Sequence, residues 1–151
     1  MFQRWPKRDP ERDFFMVPNE VFCLGLNYGE IAVYTYLLRC EDRETYQCYP
    51  SYRTIGKSVG MCENTVRKNT LSLEEKGLIC TEPTMITTKD GRPRNGSLLY
   101  TIRPIQEALN SYYQRQLAQA EEAAAKARAA KQLAKLNDRK PIHIENEGVS
   151  A

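Results

Sequence analysis

The stretch Ser51–Ile79, SYRTIGKSVGMCENTVRKNTLSLEEKGLI, decides how the chain is read. It holds two helical patterns joined by a tight turn. The first runs from Ser51 to Val59, the turn is Gly60-Met61, and the second runs from Cys62 to Lys76 and stops at Gly77. Ile55, Val59, Met61, Val66 and Leu73 recur at spacings that bring them together between the two helices. Gly56 is small enough to let the helices approach at their crossing, and Gly60 permits the positive φ that a sharp turn between helices needs. Ser51 is placed to cap the first helix through its hydroxyl. The positions left exposed on the second helix are Glu63, Asn64, Thr65, Arg67 and Lys68.

Gly60-Met61-Cys62-Glu63-Asn64-Thr65-Val66, followed by Leu73-Glu74-Glu75-Lys76-Gly77-Leu78-Ile79 and preceded by Tyr49-Pro50-Ser51, resembles the winged helix-turn-helix domains of bacterial DNA-binding proteins. It is similar to the amino-terminal domains of replication initiators of plasmids, phages and conjugative elements, over roughly Phe14 to Arg103. The resemblance implies that the second helix enters the major groove of duplex DNA. Two departures stand out. Cys62 occupies the N-cap position where Ser is usual, so the cap is expected to be weaker. Asn69 and Thr70 stand where apolar residues are usual, which implies a looser inner face for the second helix.

The side chains of that helix suit base edges and phosphates. Asn64 can read adenine with a bidentate bond, and Arg67 can read guanine. Arg67 and Lys68 could also be an ordinary solvated face. Thr65 is open to two roles, a phosphate contact or a helix cap. Glu63 can accept from a cytosine amino group or simply favour the positive helix N-terminus. Ser51, Tyr52 and Arg53 open the first helix, where backbone N–H groups and short polar side chains can hold a phosphate.

Charge supports this placement more than its total does. The formal net charge of the 151 residues is only +3. Residues 51–103 carry nine Lys and Arg against five Asp and Glu, whereas the first fifty carry six against eight. A localised basic face is the electrostatic footprint of a nucleic-acid binder. The five cysteines, Cys23, Cys40, Cys48, Cys62 and Cys80, include no Cys-x-x-Cys pair, and the one histidine, His143, lies in a polar tail. No metal site is expected from such spacing. The start MFQRWPKRDPERD lacks the apolar core of a signal peptide, so free thiols in a reducing cytoplasm fit best. No apolar run nears the ~20 residues that span a bilayer.

In chain order, residues 1–13 read as a flexible arm of mixed charge, which a plain disordered terminus explains and which a groove-binding arm would also fit. Phe14-Phe15-Met16-Val17 leads to a short helix from Pro18 to Leu24, stopped by Gly25. Asn27 can cap the next helix, Gly29 to about Arg39. Its apolar positions Ile31, Ala32, Tyr34, Tyr36, Leu37 and Leu38 cover a broad face, as in a helix packed behind the pair. Tyr46–Tyr49 reads as a short strand. Leu78–Glu82 and Leu98–Ile102 read as the two strands of a wing, and Met85–Thr88 can resume the first after Pro83. Lys89-Asp90-Gly91 and Asn95-Gly96 are turn signals, and Lys89, Arg92 and Arg94 are expected at the wing tip, aimed at phosphates or the minor groove. Residues 104–138 form a long Ala-rich helix, which over some 34 residues would extend about 50 Å. It reads as a solvated single helix, with pairing between two copies or direct DNA contact as alternatives. Residues 139–151 read as a disordered tail.

The expected fold is mainly α with a small β-hairpin wing (α+β), residues 14–103 forming a winged helix-turn-helix domain ahead of the long helix. The expected function is sequence-specific binding of double-stranded DNA by a cytoplasmic, bacterial regulator of transcription or replication on a mobile element. One alternative is an origin-binding protein of the initiator type. Another is a protein–protein interaction module acting through the long helix, and a homodimer through that helix is a further partner. No catalysis, cofactor, metal, membrane or small-molecule ligand is expected. The nine tyrosines do not suggest a DNA-cleaving nucleophile, because no metal cluster or Arg/His cluster accompanies one. The glycines around Arg92 lack the phosphate-loop spacing.

Overall fold

The computed structural model describes residues 12–139, 141–143 and 148. The expected arm lies almost wholly outside the described residues, and so does most of the expected tail. The chain divides into two compact units, Met1–Tyr112 and Tyr113–Ala151.

In the first unit a 3-10 helix, Asn19–Cys23, precedes helix α1, Tyr28–Cys40. The segment before Gly25 is too short for a stable α-helix, so the tighter coil takes its place. Gly25 ends it with φ +65°. Strand β1, Gln47–Cys48, follows, then helices α2, Tyr52–Val59, and α3, Glu63–Glu75. Strands β2, Ile79–Glu82, β3, Met85–Thr87, β4, Pro93–Asn95, and β5, Leu99–Ile102, form the wing. A three-stranded antiparallel sheet has the order β1-β5-β2, and β3 pairs with β4 in a separate ribbon. The architecture is that of a winged helix-turn-helix.

The α2–α3 turn forms as its residues dictate. Ser51 Oγ accepts from the Thr54 N–H at 3.1 Å, and Gly60 takes the left-handed conformation at φ 74°. Met61 N–H donates to the Gly56 carbonyl at 2.9 Å, so the turn folds back on α2. A Cβ on Gly56 would collide with the Met61 carbonyl oxygen. The small residue is thus required by the backbone of the turn more than by a facing side chain. Ile55, Val66 and Leu73 are fully buried between the helices, with Val59 and Met61 packed at their margin. Burial of each large aliphatic side chain contributes about 1.5–3 kcal/mol.

Helix α1 lies behind the pair, and it buries Val33, Tyr34, Leu37 and Leu38. Its N-terminus is a capping box: Asn27 Oδ1 accepts from the Glu30 N–H at 2.8 Å and Glu30 Oε2 accepts from the Asn27 N–H at 2.9 Å. Glu30 is only 1% exposed and also receives α3. Lys76 Nζ donates to its two oxygens at 3.0 and 2.8 Å, and Ser72 Oγ donates to Oε1. Burial alone would raise the Glu30 pKa. The hydrogen bonds from Lys76, Ser72 and the Asn27 backbone, with the Lys76 charge, outweigh it and hold the carboxyl below its ordinary value.

The inner face of α3 is closer packed than Asn69 and Thr70 led one to expect. Both are buried, at 9% and 1% exposure. Asn69 Nδ2 donates to the Met61 thioether at 3.5 Å, and a Cβ on Gly29 would lie 2.6 Å from that same nitrogen. A glycine on α1 therefore makes the space that a polar side chain on α3 fills. Thr70 Oγ1 is buried against the Tyr100 phenol, and its hydrogen bonding there partly opposes the rise that burial causes in that phenol's pKa.

Helix α4, Ile105–Asn137, begins within the first unit, where Ala108 and Leu109 are buried and Ile105 and Tyr112 pack at the edge of the core. In the second unit its side chains are exposed, and an ion pair joins Lys126 to Glu122 at 2.7 Å.

Glu30→Gln removes the charge that Lys76 is held against. Urea titration at pH 7 should show a loss of roughly 2 kcal/mol, below the usual cost of breaking a buried pair because Lys76 keeps some contact with water. A carboxyl whose pKa is lowered on folding contributes stability above its unfolded pKa of about 4.3 and loses it as pH falls through the folded value. The gap between the two proteins should therefore narrow below about pH 4.

Candidate nucleic-acid interface

Helix α3 presents one face outward. Glu63, Asn64, Thr65, Arg67 and Lys68 are all exposed, while Val66, Asn69, Thr70 and Leu73 are turned inward. The 3.6-residue period separates the two sets, and α1 and α2 cover the inner one. Arg67 lies near enough to Tyr52 for its charge to oppose the rise that burial causes in that phenol's pKa.

The wing and the helix pair meet across a cleft of about 670 Å³. Ser51, Tyr52 and Arg53 line it from the start of α2, Glu63 from the start of α3, and Arg94 from β4. Five of the residues expected to touch nucleic acid are thus gathered in one place. Ser51 spends its hydroxyl on capping, bonded to Thr54 N–H and facing Thr54 Oγ1 at 2.9 Å. Tyr52 is half-buried against the core, whereas Arg53 is exposed.

Arg94 differs from its expected place. It is not at the wing tip but in β4, opposite Ile86. Between the two turn signals, Pro93–Asn95 pairs with β3 and carries Arg94 back toward the helix pair. The tip is the turn Lys89-Asp90-Gly91, closed by Thr88 N–H to the Arg92 carbonyl at 3.0 Å, with Gly91 at φ 73°. Lys89 in this turn and Arg92 just after it are both exposed. At the other end of the ribbon, Gly96 N–H donates to the Thr84 carbonyl at 2.8 Å, and Thr84 Oγ1 donates to the Ser97 carbonyl.

The nine bases of residues 51–103 divide by partner. Lys76 is held by Glu30 and Arg103 by Glu107, at 2.8 and 2.6 Å. Arg53, Lys57, Arg67, Lys68, Lys89, Arg92 and Arg94 form no ion pair among the described residues. They lie on α2, α3 and the β3–β4 ribbon. Two features escaped the sequence reading. Lys76 is one of the nine bases that make residues 51–103 positive, and nothing local marks Glu30, 46 residues away, as its partner. Tyr28, 89% exposed, shares a depression with Gly60, Cys62 and Thr65 at the start of α3. An aromatic residue next to a capping Asn was its only signal.

Residues 24–79 match the family described as Helix-turn-helix domain. The match covers α1, α2 and α3 and ends where the wing begins. No curated protein sequence matches the chain. Among solved structures, a possible transcriptional regulator from Methanosarcina mazei Go1 is 17% identical, covers 72% of this chain and 83% of its own, and has a TM-score of 0.49. A point mutant of ZitR from Lactococcus lactis, in complex with DNA, is 15% identical over 84% of this chain and 83% of its own, with a TM-score of 0.38. A MarR-family regulator from Silicibacter pomeroyi is 16% identical over 82% and 80%, also at 0.38. At such values none of these likenesses bears on what this chain does.

Among the described residues no cluster of His, Cys, Asp and Glu has metal-binding geometry, and no helix is long and apolar enough to cross a membrane. All five cysteines are free.

The N-cap of α3 is as weak as the sequence implies. Cys62 makes no capping hydrogen bond of ordinary geometry, and its sulfur meets Thr65 Oγ1 at 3.1 Å. The Thr65 hydroxyl, with the nearby backbone N–H groups of Thr65 and Asn64, lowers the thiol's pKa. Cys62→Ser should raise the midpoint of urea denaturation by roughly 0.3 M, because a hydroxyl caps a helix that the thiol leaves open.

Proposed function

We propose that this chain binds double-stranded DNA in a sequence-specific way and acts without catalysis as a cytoplasmic regulator of transcription. Helix α3 would enter the major groove, with Asn64 and Arg67 on base edges and Lys68 on the backbone. Arg53 and Arg94 would hold phosphates from the cleft between wing and helices. Lys89 and Arg92 would reach the neighbouring backbone from the ribbon's end. The observation that carries this reading is the set of seven bases without an acidic partner on α2, α3 and the wing. Solvating a basic face on a stable scaffold is what phosphate binding requires.

A role on a mobile bacterial element, in regulation or as a replication initiator, rests on the sequence resemblance alone. Pairing of two copies through α4 has less to rest on. Leu117 and Leu133 are both exposed but stand sixteen residues apart, about 160° around a helix at 100° per residue, so no single apolar stripe joins them.

The test is Arg67→Ala with Lys68→Ala, assayed by fluorescence anisotropy against duplexes recovered from a genomic fragment pull-down. Both side chains are exposed, so circular dichroism should show an unchanged fold. Affinity should fall at least 30-fold, about 2 kcal/mol, with part of the loss specific to the recovered sequence. Unchanged affinity with the fold intact would remove α3 as the reading element and favour a protein partner.

A further inference from the structure

Away from the helix pair, at the other end of β5, the first unit holds a cavity of about 400 Å³. Its walls are apolar: Pro18, Leu38, Ile102 and Ile105, with the rings of Tyr34 and Tyr46. The volume falls within the range of small-molecule sites, which combine apolar walls with a few placed polar groups. Here the polar group is the carboxylate of Glu41, just beyond the C-terminus of α1.

The unpaired group at this cavity is Glu41. Its Oε2 is buried and has no hydrogen-bond partner among the described residues. Burial pushes its pKa up, and the charge of Arg43 only partly opposes this. Burial, with the Glu41 charge, also pushes the Tyr34 phenol up to about 12, so that ring stays neutral. Arg103, the one cation among the cavity's lining residues, is engaged by Glu107 at 2.6 Å. A buried carboxylate oxygen with no donor costs free energy that a bound donor would recover.

We propose that this cavity is a binding site for a small organic amine, with the hydrocarbon part against Ile102, Ile105 and Leu38 and the ammonium on Glu41. An ammonium supplies both the missing donors and the missing counter-charge. The rings of Tyr34 and Tyr46 are suited to the same occupant, since an aromatic face attracts a cation. A neutral ligand of the same shape would leave the carboxylate uncompensated, and an anion would be repelled by it. None of the cavity's residues belongs to α2, α3 or the ribbon, so the site does not depend on the DNA-binding reading.

The experiment uses the full chain and three probes of one shape: 2-phenylethylamine, 2-phenylethanol and phenylacetate. Binding is followed by methyl chemical shifts in two-dimensional NMR. The amine should shift the Leu38, Ile102 and Ile105 methyls and bind at least ten-fold more tightly than the alcohol, with no binding of the acid. Glu41→Gln should abolish the preference for the amine while the alcohol binds as before, and duplex affinity should be unaffected. Equal affinity for amine and alcohol, or no methyl shift with 10 mM amine, would overturn the proposal. If Glu41→Gln fails to fold, the three-probe comparison on the unaltered chain decides by itself.

Discussion

The carboxylate of Glu30 closes the capping box of α1 and, through the same two oxygens, receives Ser72 and Lys76 from α3. A carboxylate this deeply buried is tolerable only when its oxygens are satisfied, so the three partners are fixed together. The charges also suit their positions. Glu30 stands in the first turn of α1, and Lys76 is the residue that ends α3, where negative and positive groups respectively favour the helix dipoles. The node joins the start of the rear helix to the end of the exposed one. Beside this node, Gly29 and Asn69 set how closely the two approach.

With α3 tied at its C-terminal end to α1 and at its N-terminal end to α2 through the Gly56–Met61 turn, its outer face has a fixed aim. Asn64, Arg67 and Lys68 need no support of their own, because buried Val66, Thr70 and Leu73 on the opposite face hold the helix. Preorganisation of this kind is what base reading demands of a recognition element. The same node sorts the charges. With Lys76 taken inward, the bases of residues 51–94 that have no ion pair among the described residues lie on α2, α3 and the wing. Their mutual repulsion is what bound phosphates would relieve under the proposed function.

The helix pair was legible because its signals are local. A serine cap, a glycine at positive φ and a 3.6-residue apolar period each act within a few residues. The capping Asn27 and the strong strand at β5 were legible for the same reason. What escaped depends on distant partners. Asn69 looked like a weakness until Gly29, forty positions earlier, was seen to make room for it. Glu30 carried no sign of Lys76. Strand β4 was hidden by its composition, since Pro93-Arg94-Asn95 has low strand propensity and is held by pairing with β3. That pairing is what moved Arg94 from the expected tip into the cleft. Of the candidate site, the identities of the outward residues on α3 were readable from periodicity, whereas the cleft that joins Ser51, Arg53, Glu63 and Arg94 exists only once the wing folds back.

The central claim is that a localised, unpaired basic surface engages the phosphates of duplex DNA. The salt dependence of duplex affinity for the full chain measures this directly, since log K falls against log salt by about 0.9 for each phosphate neutralised. If most of the seven unpaired bases are engaged, the slope should lie between about −4 and −6. A slope near zero would contradict the account, because binding would then owe nothing to those charges.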